Sequence, residues 1–258
     1  LTLDTSSNEL VAAVVSGATL FAAHGSEGQD MTVESRASGA FNSVATINSA
    51  VPTAAIGFKG ELWIGAADND SLGGNARLYY GVDTYTEVTN LPIRTVGSGV
   101  RQQVTSMMQV TVAPVGSGAT TQEFMVLSIG AFSMNTGQPL AGEVLITDGT
   151  AYEVIANYNS AAPLALAWAD DTIYVGASNG ELSYRNDDGT WDVEENVGLN
   201  SVSSLVVNGN GDLVVGGTDS AGAAVLLRTG TTGGPPTTTP LFFTTDIAGL
   251  LANDCASC

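Results

Sequence analysis

Short apolar runs separated by Gly- and Asn-rich turns recur along the chain, and no long stretch carries helical periodicity. The clearest example is 201–228, SVSSLVVNGNGDLVVGGTDSAGAAVLLR. Leu205-Val206-Val207 leads into Asn208-Gly209-Asn210-Gly211. Asp212-Leu213-Val214-Val215 then ends in Gly216-Gly217, and a third run covers 223–228. An Asn-Gly pair between β-branched runs is among the strongest local hairpin signals.

The same reading extends upstream. Residues 1–8 alternate as a half-buried strand does, and 9–15, 19–23, 29–35 and 41–47 read as four strands. A second unit starts at 54–58, turns at Lys59-Gly60, and continues through 61–66, 76–80 and 84–89. The third is stretched over 104–113, 123–130, 143–147 and 152–156, with long loops expected at 114–122 and 131–142. The fourth, 164–169, 172–176, 181–185 and 190–194, is compact. The fifth is 201–228 with an outer strand expected at 240–245.

Glycines that end each unit's second strand set the period. Gly176 to Gly216 is 40 residues, Gly130 to Gly176 is 46, and Gly65 to Gly130 is 65, swollen by the third unit's insertions. Four strands per roughly 40–45 residues is the spacing of propeller blades. The segments ELWIGAADN, TIYVGASNGELSYRNDDGTW and DLVVGGTDSAGAAVLLR resemble blades of secreted, sensor-type β-propeller repeats. The resemblance covers most of 9–245 and implies an all-β propeller of about five four-stranded blades, near 9–48, 54–92, 104–158, 164–198 and 204–245. The body would be 1–228, with 1–5 available to close a blade. A β-sandwich or solenoid could use the same strands, and six blades result if the two termini share one. Propellers serve as scaffolds, lectins and enzymes, so the resemblance speaks to architecture.

The tail differs in kind. Residues 229–240, TGTTGGPPTTTP, read as a linker, and 241–258 as an apolar end. Leu1, Leu3, Leu241, Phe242, Phe243, Ile247, Leu250 and Leu251 are the candidate assembly contacts. Cys255 and Cys258 are the chain's two cysteines. Their spacing fits half a zinc site or a redox motif, yet a zinc site needs more ligands and a thioredoxin-type motif needs a βαβ context. A disulfide, within the tail or across subunits, is the expectation, in an oxidising compartment.

Charge narrows the partners. Asp plus Glu number 26 against 7 Lys plus Arg, a formal net charge of −19. Lys59 is the single lysine. Phosphate-backbone binding needs clustered bases, so nucleic acid is disfavoured, as are anionic membrane surfaces. No apolar run approaches the length of a membrane span, so no membrane insertion is expected. The start at Leu1, without a Met or basic leader, reads as a processed, secreted product.

Acidic turns supply the remaining chemistry. Asp68, Asp70, Asp188 and Asp192 are candidate calcium ligands, although no twelve-residue calcium loop is present and Asn/Asp side chains stabilise turns by themselves. Asn69-Asp70-Ser71 is a glycosylation sequon. A glycoside hydrolase is the enzyme alternative, but the inferred innermost strands at 11–15, 54–58, 106–112, 164–169 and 204–207 hold no acid. His24, the sole histidine, lacks a partner motif for a catalytic triad. Trp63, Tyr174 and Phe21 fit core packing between units. Trp63 and Tyr174, with Trp168, Trp191, Tyr79, Tyr80 and Tyr184, could also form sugar platforms. The expectation is therefore a non-catalytic extracellular structural protein that forms a homo-oligomer or polymer through its termini, up to a filament. The alternative is a glycan- or ligand-binding module, lectin-like or adhesin, acting through the third unit's loops.

Overall fold

The structure is a computed structural model that describes residues 10–16, 19–70, 72–112, 122–186, 189–194 and 197–228. The candidate assembly residues Leu1, Leu3, Leu241, Phe242, Phe243, Ile247, Leu250 and Leu251 fall outside them, as do Cys255, Cys258, Asp188 and the expected strand at 240–245. The described residues contain nineteen strands and no helix, hence none long and apolar enough to cross a membrane. The all-β expectation holds, and every strand-to-strand ladder is antiparallel.

Two compact units divide between Ala162 and Pro163. The first unit opens with a four-stranded meander of β1 (Leu10–Ser16), β2 (Thr19–Gly25), β3 (Met31–Arg36) and β4 (Asn42–Ile47). A second meander follows, β5 (Ala50–Phe58), β6 (Glu61–Asp68), β7 (Ala76–Gly81) and β8 (Tyr85–Glu87). The third is β9 (Val100–Val112), β10 (Gln122–Ser133), β11 (Pro139–Thr147) and β12 (Tyr152–Tyr158). A single bridge links the second and third, between Ala67 near the end of β6 and Gln103 of β9. The second unit holds β13 (Pro163–Ala169), β14 (Thr172–Ala177), β15 (Leu182–Arg185) and β16 (Trp191–Glu194) in one sheet. Its other sheet has three strands, β17 (Ser201–Val207), β18 (Leu213–Thr218) and β19 (Ala224–Arg228).

Turn chemistry explains the connections. Lys59 and Gly60 both have positive φ, 50° and 80°, which is the twist of a two-residue hairpin loop between β5 and β6. The expected long loop at 131–142 is corrected. Strand pairing runs on to Ser133 and resumes at Pro139, leaving a short turn over 134–138. Gly137 and Pro139 mark that turn, and the apolar Ala131-Phe132 before it stays in the sheet.

Within each unit, successive meanders pack face to face. Strand β6 alternates its side chains between two cores, as period-two geometry requires. Leu62, Ile64 and Ala66 meet Ala23, Met31 and Val33 of the first meander. Trp63, on the opposite face, meets Val104, Met125, Leu127 and Ile129 of the third. Burial on both faces accounts for the near-continuous apolar run in this strand. In the second unit Ala165, Ala167 and Leu182 pack on Val202, Leu205, Leu213 and Val215.

The glycines that set the sequence period sit at these contacts. A Cβ at Gly65 would stand 2.5 Å from Val104 Cβ, and one at Gly176 would overlap Val202 Cγ1. In both cases the obstacle is the first strand of the following meander. At Gly130 the obstacles are Phe132 and Ala162. Each close approach is accompanied by a bulge in the ladder. Register shifts fall between Pro52 and Ala54 beside Gly65, between Pro163 and Ala165 beside Gly176, and between Val104 and Ser106 beside Gly130. Thr53, the extra residue in β5, donates its hydroxyl to the carbonyls of Gly65 and Val104, at 3.2 and 2.5 Å. That hydroxyl ties the second meander to the third.

Gly65→Ala and Gly176→Ala should each cost about 1–3 kcal/mol, because the methyl must displace a buried valine. Gly97→Ala, where nothing lies within 4 Å, should stay within about 0.5 kcal/mol of the parent. Urea unfolding of the three variants checks this.

Candidate functional site

Where the meanders' turns gather at one end of the first unit, the surface opens into a polar cleft of about 470 Å³ lined by Lys59, Gln122, Glu123, Phe124 and Asp148. A second open groove of about 480 Å³ shares Lys59 and Glu123 and continues along Val14, Val15, Ile56, Gly57 and Gln109. Three hairpins supply the walls. Lys59 comes from the β5–β6 turn, Asp148 from the β11–β12 turn, and 122–124 from the start of β10. The β9–β10 pair is the longest in the chain, and its register, Gln122 opposite Val112, carries Glu123 to this rim.

Lys59 is fixed in place. Its ammonium donates to the Asp148 carbonyl at 2.6 Å and lies 5.4 Å from the centroid of the Phe58 ring. The Asp148 carboxylate accepts from the backbone N–H groups of Thr150 and Ala151 and from the Thr150 hydroxyl, at 2.7–2.9 Å. Those donors hold its carboxyl down to about 2. By contrast, Gln122 and Glu123 are exposed, and among the described residues neither side chain has a hydrogen-bond partner.

Elsewhere the few cations are spent on bracing. Arg77 forks onto Glu87 with two bonds of 2.8 Å, which lowers the Glu87 carboxyl. Arg101 bonds Glu27 at 2.8 Å. Arg94, in the connection between β8 and β9, meets Glu143 at 2.9 Å and also reaches Asn157 and Asn159. Glu143 is buried, and desolvation pushes its carboxyl up despite the arginine.

The candidate metal ligands cap turns. Asp70 Oδ1 accepts from the Leu72 N–H at 2.9 Å, and Asp192 accepts from the Asn186 amide at 2.9 Å. Asp68 ends β6, with its Cβ against Gly74. Among the described residues no group of three or more His, Cys, Asp or Glu side chains converges on a metal-sized site. His24 lies 3.6 Å from Glu34 across β2 and β3. Asn69 of the sequon is held by Gly28 and Gln29.

Of the aromatics considered as sugar platforms, Trp63 and Tyr79 are buried, and Tyr80, Trp168, Tyr174, Tyr184 and Trp191 are half-buried. Trp63 is 2% exposed, stacked 4.8 Å from Tyr80 and edge-on to Phe58 at 6.0 Å. Tyr79 is buried and Tyr174 packs on the core of the second unit. Sequence reasoning missed the cleft because Lys59, Glu123 and Asp148 share no local motif; the hairpin signal at Lys59-Gly60 was its one visible trace.

No family model and no curated protein matches the sequence. Among solved structures, the chain is similar to the computationally designed Ika8 protein, with 14% identity and a TM-score of 0.44 over 90% of this chain and 73% of that one. It is also similar to an exo-β-1,3-galactanase from Phanerochaete chrysosporium solved with galactose, with 9% identity and a TM-score of 0.42 over 91% of this chain and 64% of that one. A third is the extracellular domain of a one-component system of B. thetaiotaomicron, with 14% identity and a TM-score of 0.40 over 89% of this chain and 34% of that one. At these scores the likenesses carry no argument about chemistry.

The Asp148 turn gives a signed pH dependence. Its folded carboxyl lies near 2 against an ordinary 3.8, so its charge-dependent stabilisation is present above about 3.8 and is lost as pH falls towards 2. The melting-temperature difference between the parent and Asp148→Asn should be constant at pH 6–8 and shrink steadily below about pH 4.

Proposed function

We propose that the protein is a non-catalytic extracellular structural subunit, a propeller of about five four-stranded blades that self-associates through its termini and can extend into a filament. One observation carries this reading. The sheet β17-β18-β19 stops at three strands among the described residues, whereas the other meanders have four. Among the described residues no strand pairs with the outer side of β19, so its main-chain donors and acceptors are a template for an added strand.

The segment 240–245 is suited to that edge, with Leu241, Phe242 and Phe243 followed by two threonines. Residues 229–239 can span roughly 36 Å when extended, enough to carry it to a neighbouring subunit. A tail placed on the next subunit's edge makes a heterologous contact, and such contacts propagate unless the rotation closes a ring. Self-repulsion at a net charge of −19 opposes association, so main-chain bonding and apolar burial must supply the contact. Cys255 and Cys258 would then lock the end by a disulfide, within the tail or between subunits.

Size-exclusion chromatography with light scattering tests the reading. The full chain should form oligomers, and a chain lacking 229–258 should be a monomer with an unchanged melting temperature. An oligomer that survives the truncation, or a full chain that is itself monomeric, overturns it.

A further inference from the structure

We infer that the cleft at Lys59, Glu123 and Asp148 is a binding site for a neutral oligosaccharide. The inference is independent of the assembly reading, because it rests on the opposite unit of the chain and on different residues. Four features of the cleft lead to it.

Size comes first. Each lobe, about 470 and 480 Å³, falls within the roughly 300–1,000 Å³ typical of small-ligand sites. Shape is the second feature. The lobes meet at Lys59 and Glu123, so an elongated ligand would lie across that waist with part in each lobe.

The third is the polar inventory. Glu123 accepts hydrogen bonds, the Lys59 ammonium donates them, and the Gln122 and Gln109 amides do both. Vicinal hydroxyls both donate and accept, so they match this mixed set, whereas a purely anionic or cationic ligand would use only part of it. Phe124, half-buried beside Glu123, adds a ring edge for the apolar side of a sugar.

Charge is the fourth. Two carboxylates face one ammonium in the polar lobe, and that ammonium is already engaged by the Asp148 carbonyl. Together with the net charge of −19, this disfavours uronates, sulfates and phosphates. A free amine would be drawn by the carboxylates but would have to sit beside the Lys59 ammonium, which lines both lobes. A neutral polyhydroxylated chain meets neither penalty. The Lys59 side chain is also preorganised, by its left-handed backbone, by the Asp148 carbonyl and by the Phe58 ring, so little is lost in ordering it on binding.

The test applies the full chain to a printed array of short neutral, uronate-bearing and free-amino oligosaccharides, followed by calorimetric titration of the best neutral binder. Glu123→Gln removes the acceptor charge. Lys59→Asn removes the ammonium while keeping a residue that tolerates positive φ, so the hairpin turn is preserved. Each substitution should weaken binding about tenfold or more, the effect of losing a hydrogen bond to a charged group. The melting temperature of Glu123→Gln should match the parent, and that of Lys59→Asn should fall by no more than a few degrees, the loss of one exposed bond to the Asp148 carbonyl. The assignment is overturned if no neutral oligosaccharide binds, if uronate-bearing or free-amino chains bind more tightly, or if both variants bind as the parent does.

Discussion

Where one meander faces the next, the second strand gives up its side chain so that the following strand can come close. Gly65 leaves room for Val104, and Gly176 for Val202. A bulge in the neighbouring first strand accompanies each approach, and in β5 the bulged Thr53 bonds across to the Val104 carbonyl. Bulges increase local twist, which lets a sheet turn its face onto the next while keeping its own ladder. Much of the composition follows from this. Strands buried on both faces need small and apolar residues throughout, which is why ELWIGAA reads as a nearly unbroken run. Trp63, buried in the core between the second and third meanders, stacks on the half-buried Tyr80.

The charge distribution has a second consequence. With 7 basic residues against 26 acids, the cations become structural parts. Arg77, Arg94 and Arg101 each bind a glutamate, and Arg94 stitches the β8–β9 connection to β11 through a buried carboxylate. Removing Arg94 would leave the buried Glu143 carboxylate without its counter-charge, whereas the pairs at Arg77 and Arg101 each have a more exposed glutamate. Lys59 is the exception, because it stands at a cleft. A surface so depleted of positive charge associates poorly through ion pairs, so the proposed assembly would rest on strand addition and apolar contact.

Strands and their turns were legible because their signals are local. The Asn208–Gly211 turn, the Lys59-Gly60 hairpin and the glycines at 65, 130, 176 and 216 each announce themselves within a few residues. The reason for three of those glycines was not legible, because Val104, Ala162 and Val202 lie 26–39 residues away in the chain. Bulges at Thr53 and Ser203 carry no composition signal, since they are set by pairing across the sheet. The 131–142 segment misled because Asn135, Gly137 and Pro139 are turn residues, yet the ladder closes to within five residues of the turn. The cleft was invisible for a similar reason. Lys59 and Glu123 are 64 residues apart, and only the extended β9–β10 register brings them to one rim.

An electron cryomicroscopy reconstruction of the full chain in solution tests the central claim most directly, because it shows what lies beside β19. The account predicts a fourth strand there, formed by 240–245 of a neighbouring subunit, with the contact repeating from one subunit to the next. A β19 edge covered by the same chain's own segment in a monomer, or left bare, would contradict it.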